Sequence, residues 1–466
     1  VTPHLTDDPP PVAAPVGPAR AGLGRRVLTL PLRAAARAVG SVRRRPSRAA
    51  GYLALLVLLA GSLAAGGAGL WFTHHLRAAR GELTRGHNAA ALRHLARCQS
   101  LRPDGREVLL LSARVARRSG AADQAEALLD RCQTLHGEGD DLVLERLLLR
   151  ATRGDVEEVG PALLARIRAG GADAALAREA LVVGLLERFA WAEAFQQLDE
   201  WLAIDPDATA ALLLRGKLEE QRQAPRPARE LYQRVVDSDP DHDEARLRLT
   251  TLQLSDRHGA EAFDNLTVLR RRLPGHPEVA VQYARALALL GRNDESRTAL
   301  DDALRAHPDY PAALAERGTR ALFDGDEDAA ERYLARAAAL EPGNAVVRAQ
   351  YALVLTRTGK RAEAAQQDAE IAALKADFER VTVLIGGPLQ ERPNDPAVHH
   401  EIGEIALRAG QVREALRWFT SAVRADPRYA PAHRSLALLY HALGKPVLSA
   451  HHRALAQRPK DAPAQP

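Results

Sequence analysis

The sequence predicts an all-α solenoid of about eleven helix-turn-helix units, preceded by one transmembrane helix. Three observations carry this. Prolines stand at Pro206, Pro240, Pro274, Pro308 and Pro342, each 34 residues after the last. Glycines keep the same step at Gly86, Gly120 and Gly154, at Gly291, Gly325 and Gly359, and at Gly410 and Gly444, as do the small residues Ala194, Ala228, Ala262, Ser296, Ala330 and Ala364. A fixed step of this length marks a repeat whose single unit cannot bury its apolar face and must stack on its neighbours. Finally, Ala49 to Thr73 is 25 residues without a charge.

One unit, residues 311–344, shows how the local chemistry makes the repeat. Pro311 opens a helix, where its missing N–H costs nothing. Gly325 closes that helix by accepting a left-handed conformation. Asp326 stands where an N-cap is wanted, the second helix runs to Leu340, and Pro342 stops it. Gly318, Ala330 and Ala337 are small where two antiparallel helices and the next unit pack closely. The pattern of small residues at these slots resembles the tetratricopeptide repeat family, over most of the chain after residue 72. It departs in being poor in aromatics, which suggests aliphatic packing. The resemblance implies a right-handed superhelix.

In register, units begin near 72, 106, 140, 175, 209, 243, 277, 311, 345, 396 and 430. Gly359 to Gly410 is 51 residues, one period plus 17, and Ala376 occupies the slot where a proline is due. The second helix there is expected to run on until Gly386, Gly387 and Pro388 break it. Either it re-caps the stack, or Phe378, Val381, Val383 and Leu384 form a ridge or dimer contact. The domains are therefore a Pro/Arg-rich disordered cytoplasmic arm over 1–48, the span over 49–73, the superhelix over 74–376, an extended-helix insertion over 377–395, a C-terminal repeat pair over 396–463 and a tail over 464–466.

The span is long enough for hydrocarbon, and Tyr52 and Trp71 lie about 28 Å apart along a helix, one at each interface. Arg33, Arg37, Arg43, Arg44, Arg45 and Arg48 precede it, against Arg77, Arg80 and Arg85 after it. The positive-inside rule then places the arm in the cytoplasm and the repeats outside, on a single-pass inner (cytoplasmic) membrane protein. A cleaved signal peptide is the rival, and a true start near Val42 favours it, since the chain begins with Val1 and contains no Met. Gly61, Ala65 and Gly69 make a small-residue face at four-residue spacing, the kind that lets two membrane helices form a homodimer.

Fifty-nine arginines against five lysines, with much Ala and Leu, fit a GC-rich bacterial gene. Residues 1–50 carry nine Arg and two Asp, a net +7, whereas the whole chain is +5, so the remainder sums to −2. The basic excess is a juxtamembrane arm suited to anionic lipid headgroups rather than a nucleic-acid footprint. The stretch from Leu23 to Val39 can form a short basic surface helix. Cys98 and Cys132, 34 residues apart, occupy one repeat slot and read as inert core thiols. No CxxC, CxxCH, P-loop, nucleophile elbow or dinucleotide fingerprint occurs, and the histidine pairs His399–His400 and His451–His452 lack zincin spacing. The acidic runs at 239–244 and 324–328 fall at turns and cap helices. No enzyme, metal or cofactor is expected.

In the resembled family the first helix of each unit lines a concave face on which peptides lie. By register that face holds Arg77 and Arg80, then Arg114, Arg117 and Arg118, then Lys217 and Glu220, Arg248 and Thr251, Gln282 and Arg285, Gln350 and Arg357, and His400, Glu404 and Arg408. The Lys/Asn/Arg set that clamps a terminal carboxylate in chaperone-binding members is absent. Two functions stay open: a membrane-anchored scaffold that binds protein or peptide partners, and an assembly factor holding apo or unfolded clients in the envelope, as in cytochrome c maturation.

Overall fold

The computed structural model describes residues 66–188 and 190–457. The arm, residues 49–65 of the expected span with Gly61 and Ala65, and residues 458–466 lie outside them. The chain forms two compact units, Val1–His75 and Leu76–Pro466. In the first, residues 66–75 are helical, Trp71 meets His75 edge-on with ring centroids 4.5 Å apart, and no atom crowds Gly69. Among the described residues no helix is long and apolar enough to cross a membrane.

The second unit is built of helix pairs. Helical residues 76–84 (α1) pair with α2 (Asn88–Leu101). There follow α3 (Arg106–Arg118) with α4 (Ala122–His136), α5 (Asp140–Thr152) with α6 (Val156–Ala169), and α7 (Ala172–Glu187) with α8 (Trp191–Ile204). Next come α9 (Thr209–Gln221) with α10 (Pro225–Ser238), α11 (Asp243–Ser255) with α12 (Gly259–Arg272), and α13 (Pro277–Leu289) with α14 (Asn293–Ala306). Then α15 (Pro311–Asp324) pairs with α16 (Glu327–Leu340), and α17 (Ala345–Arg357) with α18 (Arg361–Gly386). The short α19 (Pro388–Glu391) leads to α20 (Pro396–Arg408) with α21 (Val412–Ala425), and α22 (Ala430–Ala442) with α23 (Pro446–Ala456). Every start expected after residue 72 is met except 175. There α7 begins at 172 and runs 16 residues, directly after Gly170 and Gly171, which both take positive φ, at 74° and 82°.

The unit at 311–344 has the anticipated parts. Pro311 sits in the first turn of α15, Gly325 takes the left-handed conformation, and the Ala329 N–H donates to the Asp326 side chain at 3.0 Å. A Cβ on Gly318 would stand 2.6 Å from Leu334 Cγ, so only glycine fits. Ala330 and Ala337 are buried in the same seam. Ser296 and Ser449, at equivalent positions of two units, each return a hydroxyl proton to the facing helix, at Ala284 O (2.7 Å) and Ala437 O (2.8 Å).

Three units lack the turn glycine, with Phe189, Gln223 and Arg257 in its place. Of these, Gln223 and Arg257 have φ of 59° and 61°. Side chains with a Cβ pay about 1–2 kcal/mol there. Arg257→Gly is therefore expected to stabilise the chain by about 0.5–1 kcal/mol, read as a higher midpoint in guanidinium unfolding; an unchanged or lower midpoint contradicts it.

Ala376 lies inside a single 26-residue helix, α18. Its extension is amphipathic. Leu384 is buried against Val398, Ile402, Ile405 and Trp418, with Val381 and Ile385 packed beside it. Phe378 and Val383 face outward, 73% and 58% exposed. The pairs after α18 return onto the early part of the stack. Arg417 donates to Leu186 O at 2.8 Å and pairs with Glu187 at 2.8 Å, and Lys445 pairs with Asp123. A second seam joins the turn before α2 to the loop before α11, where His87 lies 2.7 Å from both Glu82 and Asp239.

Candidate partner-binding face

Successive first helices touch one another, α3 with α5, α5 with α7, α11 with α13 and α13 with α15, while successive second helices approach less closely. The inner side of a curved stack brings its elements closest, so the first helices line the inner face. Their polar side chains meet across neighbouring units. Arg80 pairs with Glu107, Arg114 with Glu145 at 2.5 Å, Lys217 with Glu244 at 2.6 Å, Arg248 with Glu220 at 2.8 Å, and Arg285 with Glu316 at 2.6 Å. The result is a ladder of ions along the inner face.

Each residue expected there has a definite place. Arg77 and Arg357 are exposed and make no ion pair or hydrogen bond among the described residues. Arg117 is enclosed, its side chain 2% exposed and its Nε 3.9 Å from Glu145. Arg118 donates to Glu179 at 2.7 Å and to Leu83 O at 2.5 Å. Gln282 is buried, accepts from Thr250 at 2.6 Å and donates to Thr251 at 2.8 Å. Gln350 accepts from Thr319 at 3.0 Å. His400 meets Ser435 at 3.0 Å and Glu404 at 3.8 Å. Arg408 grips Asp377 with two N–H groups, at 2.6 and 3.1 Å, and so ties α20 to the long α18.

The electrostatics follow from burial. Burial pushes Arg117 below the usual arginine range, opposed by Glu179 and Glu145. Burial raises Glu244, but Lys217 and Arg248 outweigh it and hold the carboxyl low. His400 is pushed down by burial, against Glu404. Cys98 and Cys132 form no disulfide, and their buried thiols are pushed up chiefly by desolvation. Among the described residues no group of three or more His, Cys, Asp or Glu could hold a metal ion.

Sequence register named Glu220 and Glu404 but not Glu107, Glu145, Glu244 or Glu316, the other acids that pair with these cations. The signal was present: Glu107 and Glu244 lie 27 residues after Arg80 and Lys217, and Glu145 and Glu316 lie 31 after Arg114 and Arg285. One period less one or two helical turns is the spacing that joins adjacent first helices.

These features define an α-solenoid of helix-turn-helix repeats with a charged inner face. A family model described as tetratricopeptide repeat matches residues 253–316, which run from α11 into α15. No curated protein matches the chain. Among solved structures, the type IV pilus biogenesis factor PilW is 16% identical, with a TM-score of 0.39, over 44% of this chain and 94% of its own. The human IFIT1 dimer is 13% identical, with a TM-score of 0.40, over 76% of this chain and 90% of its own. The Cut9–Hcn1 hetero-tetramer of the APC/C is 15% identical, with a TM-score of 0.33, over 82% and 80%. At these values the likenesses carry no functional argument.

Proposed function

We propose that this chain is a non-catalytic scaffold that binds protein or peptide partners along the inner face of its repeats, held to the bacterial inner membrane by residues 49–73 with the repeats outside the cytoplasm. The observation that supports binding is the ion ladder. Apart from the enclosed Arg114–Glu145 pair, its members are part-exposed, as with Arg285 at 43% and Glu316 at 28%, so a partner's charges can exchange with them at little cost. Arg77 and Arg357 stand ready without exchange. The anchor rests on the uncharged stretch and on the arginine asymmetry around it.

The test uses the full-length chain in detergent. Peptides selected from a random library are measured again on an Arg285→Glu/Arg357→Glu protein. Binding is expected to weaken about tenfold, the effect of reversing charges that contact a ligand. Unchanged binding, or a library that yields no preferred sequence, removes the inner face from consideration. A phosphatase reporter fused after Pro466 is expected to be active, and an inactive one overturns the topology.

A further inference from the structure

The end of α18, with α19–α21, faces α6–α8 across a cleft of about 1120 Å³. Its walls are mixed, with apolar faces at Leu164 and Trp191 on one side and at Leu389 and Trp418 on the other. Such a volume suits a ligand larger than most small molecules.

Arg424, at the end of α21, lines this cleft and makes no ion pair or hydrogen bond among the described residues. Its guanidinium lies over the left-handed turn at Gly154, with Nη2 3.2 Å from where a Cβ would stand. Burial and the neighbouring Arg188 push its pKa below the usual arginine range. The acids that face it are already engaged, Glu157 with Arg188 and Asp155 with Arg150. Arg417, two turns earlier on the same helix, is by contrast paired with Glu187. The charges of Glu157 and Asp155 offset only part of its desolvation, and a ligand carboxylate offers a half-buried guanidinium without an acceptor two oxygens in matching geometry.

The rim adds a second element. Gln390 and Asn394 line the cleft, and their side chains make no hydrogen bond among the described residues. Each amide offers both a donor and an acceptor, the complement of a peptide group. A polyphosphate or nucleic acid fits poorly, because Glu157 and Glu193 share the rim with two cations only.

We propose that this cleft is a peptide site for acidic-apolar segments: a ligand carboxylate on Arg424, an apolar side chain between the Trp191 and Leu389 walls, and ligand backbone on Gln390 and Asn394. None of its lining residues belongs to the ion ladder, and it does not depend on that ladder.

The probe is a short capped peptide of alternating leucine and glutamate, labelled with a fluorophore, titrated into the full-length chain in detergent. Its leucine–glutamine analogue is expected to bind about tenfold more weakly, as is the glutamate peptide to the Arg424→Gln protein. Asn394→Asp, at an exposed position that leaves packing alone, is expected to weaken binding by a similar factor through repulsion. The inner-face double reversal is expected to leave it unchanged. Equal affinity for the two peptides, no saturable binding by about 1 mM, or wild-type binding by Arg424→Gln overturns the proposal. If Arg424→Gln melts early, Asn394→Asp decides. Loss on inner-face reversal alone sends the peptide to that face, sinking this proposal and sparing the scaffold reading.

Discussion

Glu179→Ala is expected to destabilise the second unit by about 3–5 kcal/mol, the cost of leaving buried cations without their anion. Arg114, Arg117 and Arg118 share two carboxylates, Glu145 and Glu179, and all five side chains are at most 19% exposed. Burial alone would raise Glu179, yet Arg118 and Arg117 together hold it below the usual carboxylate range. Arg117 shows the opposite strain, pushed down by burial with Glu179 and Glu145 in opposition. Removing one carboxylate leaves three guanidiniums on one acid. Guanidinium unfolding followed by circular dichroism measures the loss, with hydrogen exchange in α3, α5 and α7 reporting where it falls. Glu179→Gln, which keeps shape and some hydrogen bonding, should lose less. A change within about 1 kcal/mol, the range of surface ion pairs, would mean that the cluster carries no structural load and that its arginines are free for a ligand.

Acid is expected to loosen the C-terminal pairs before the rest. His452 is pushed down to about 4 by burial first, and then by His433 and His451 beside it. Its Nδ1 lies 2.9 Å from that of His433, whose Nε2 faces Pro427 O at 3.0 Å, and its ring stacks on Tyr440. His399 and His400 are likewise pushed down, chiefly by burial. The unfolded chain takes up protons near pH 6.5, while the folded chain resists them until about 4 at His452. Stability is therefore complete above about pH 6.5 and falls as pH drops toward 4. Screening at its half-exposed ring limits the His452 share to about 1–2 kcal/mol. Carboxylates held low, such as Asp123 by Lys445, contribute stability that is complete above the ordinary carboxylate range and is lost as pH falls through that range and below it. Amide exchange in α22 and α23 at pH 7.5 and 5.0 tests this. Faster exchange at pH 5.0, corrected for intrinsic rates and abolished in His452→Asn, is the expected result; equal protection at the two values refutes it.

The repeat frame was legible because its determinants are local. Pro at a helix start, Gly in a left-handed turn and a small residue at a helix crossing each act within one unit, so the 34-residue step fixed helix starts from 106 to 430. The miss at 175 came from paired turn glycines that also act locally but out of period. The inner face was half legible. Register put the cations on first helices, yet Arg117 is enclosed because its position on α3 turns toward Glu145 rather than outward. The cleft and the return seams were not legible. Arg417 and Leu186 are 231 residues apart, and Lys445 and Asp123 are 322 apart, with no periodic mark on any of them.

Those two seams alter how the chain would fold. An open array of stacked units has only neighbour contacts, and it can grow or fray from either end. Here the last pairs must find partners hundreds of positions away, and the entropy of closing so long a loop must be met before any seam contact forms. Local pairs would therefore assemble first, and docking of α20–α23 would come last as a slow, separate step. The same order run backward makes that docking the weakest joint under load. The bond between Lys445 and Asp123 would open while every helix pair was still intact.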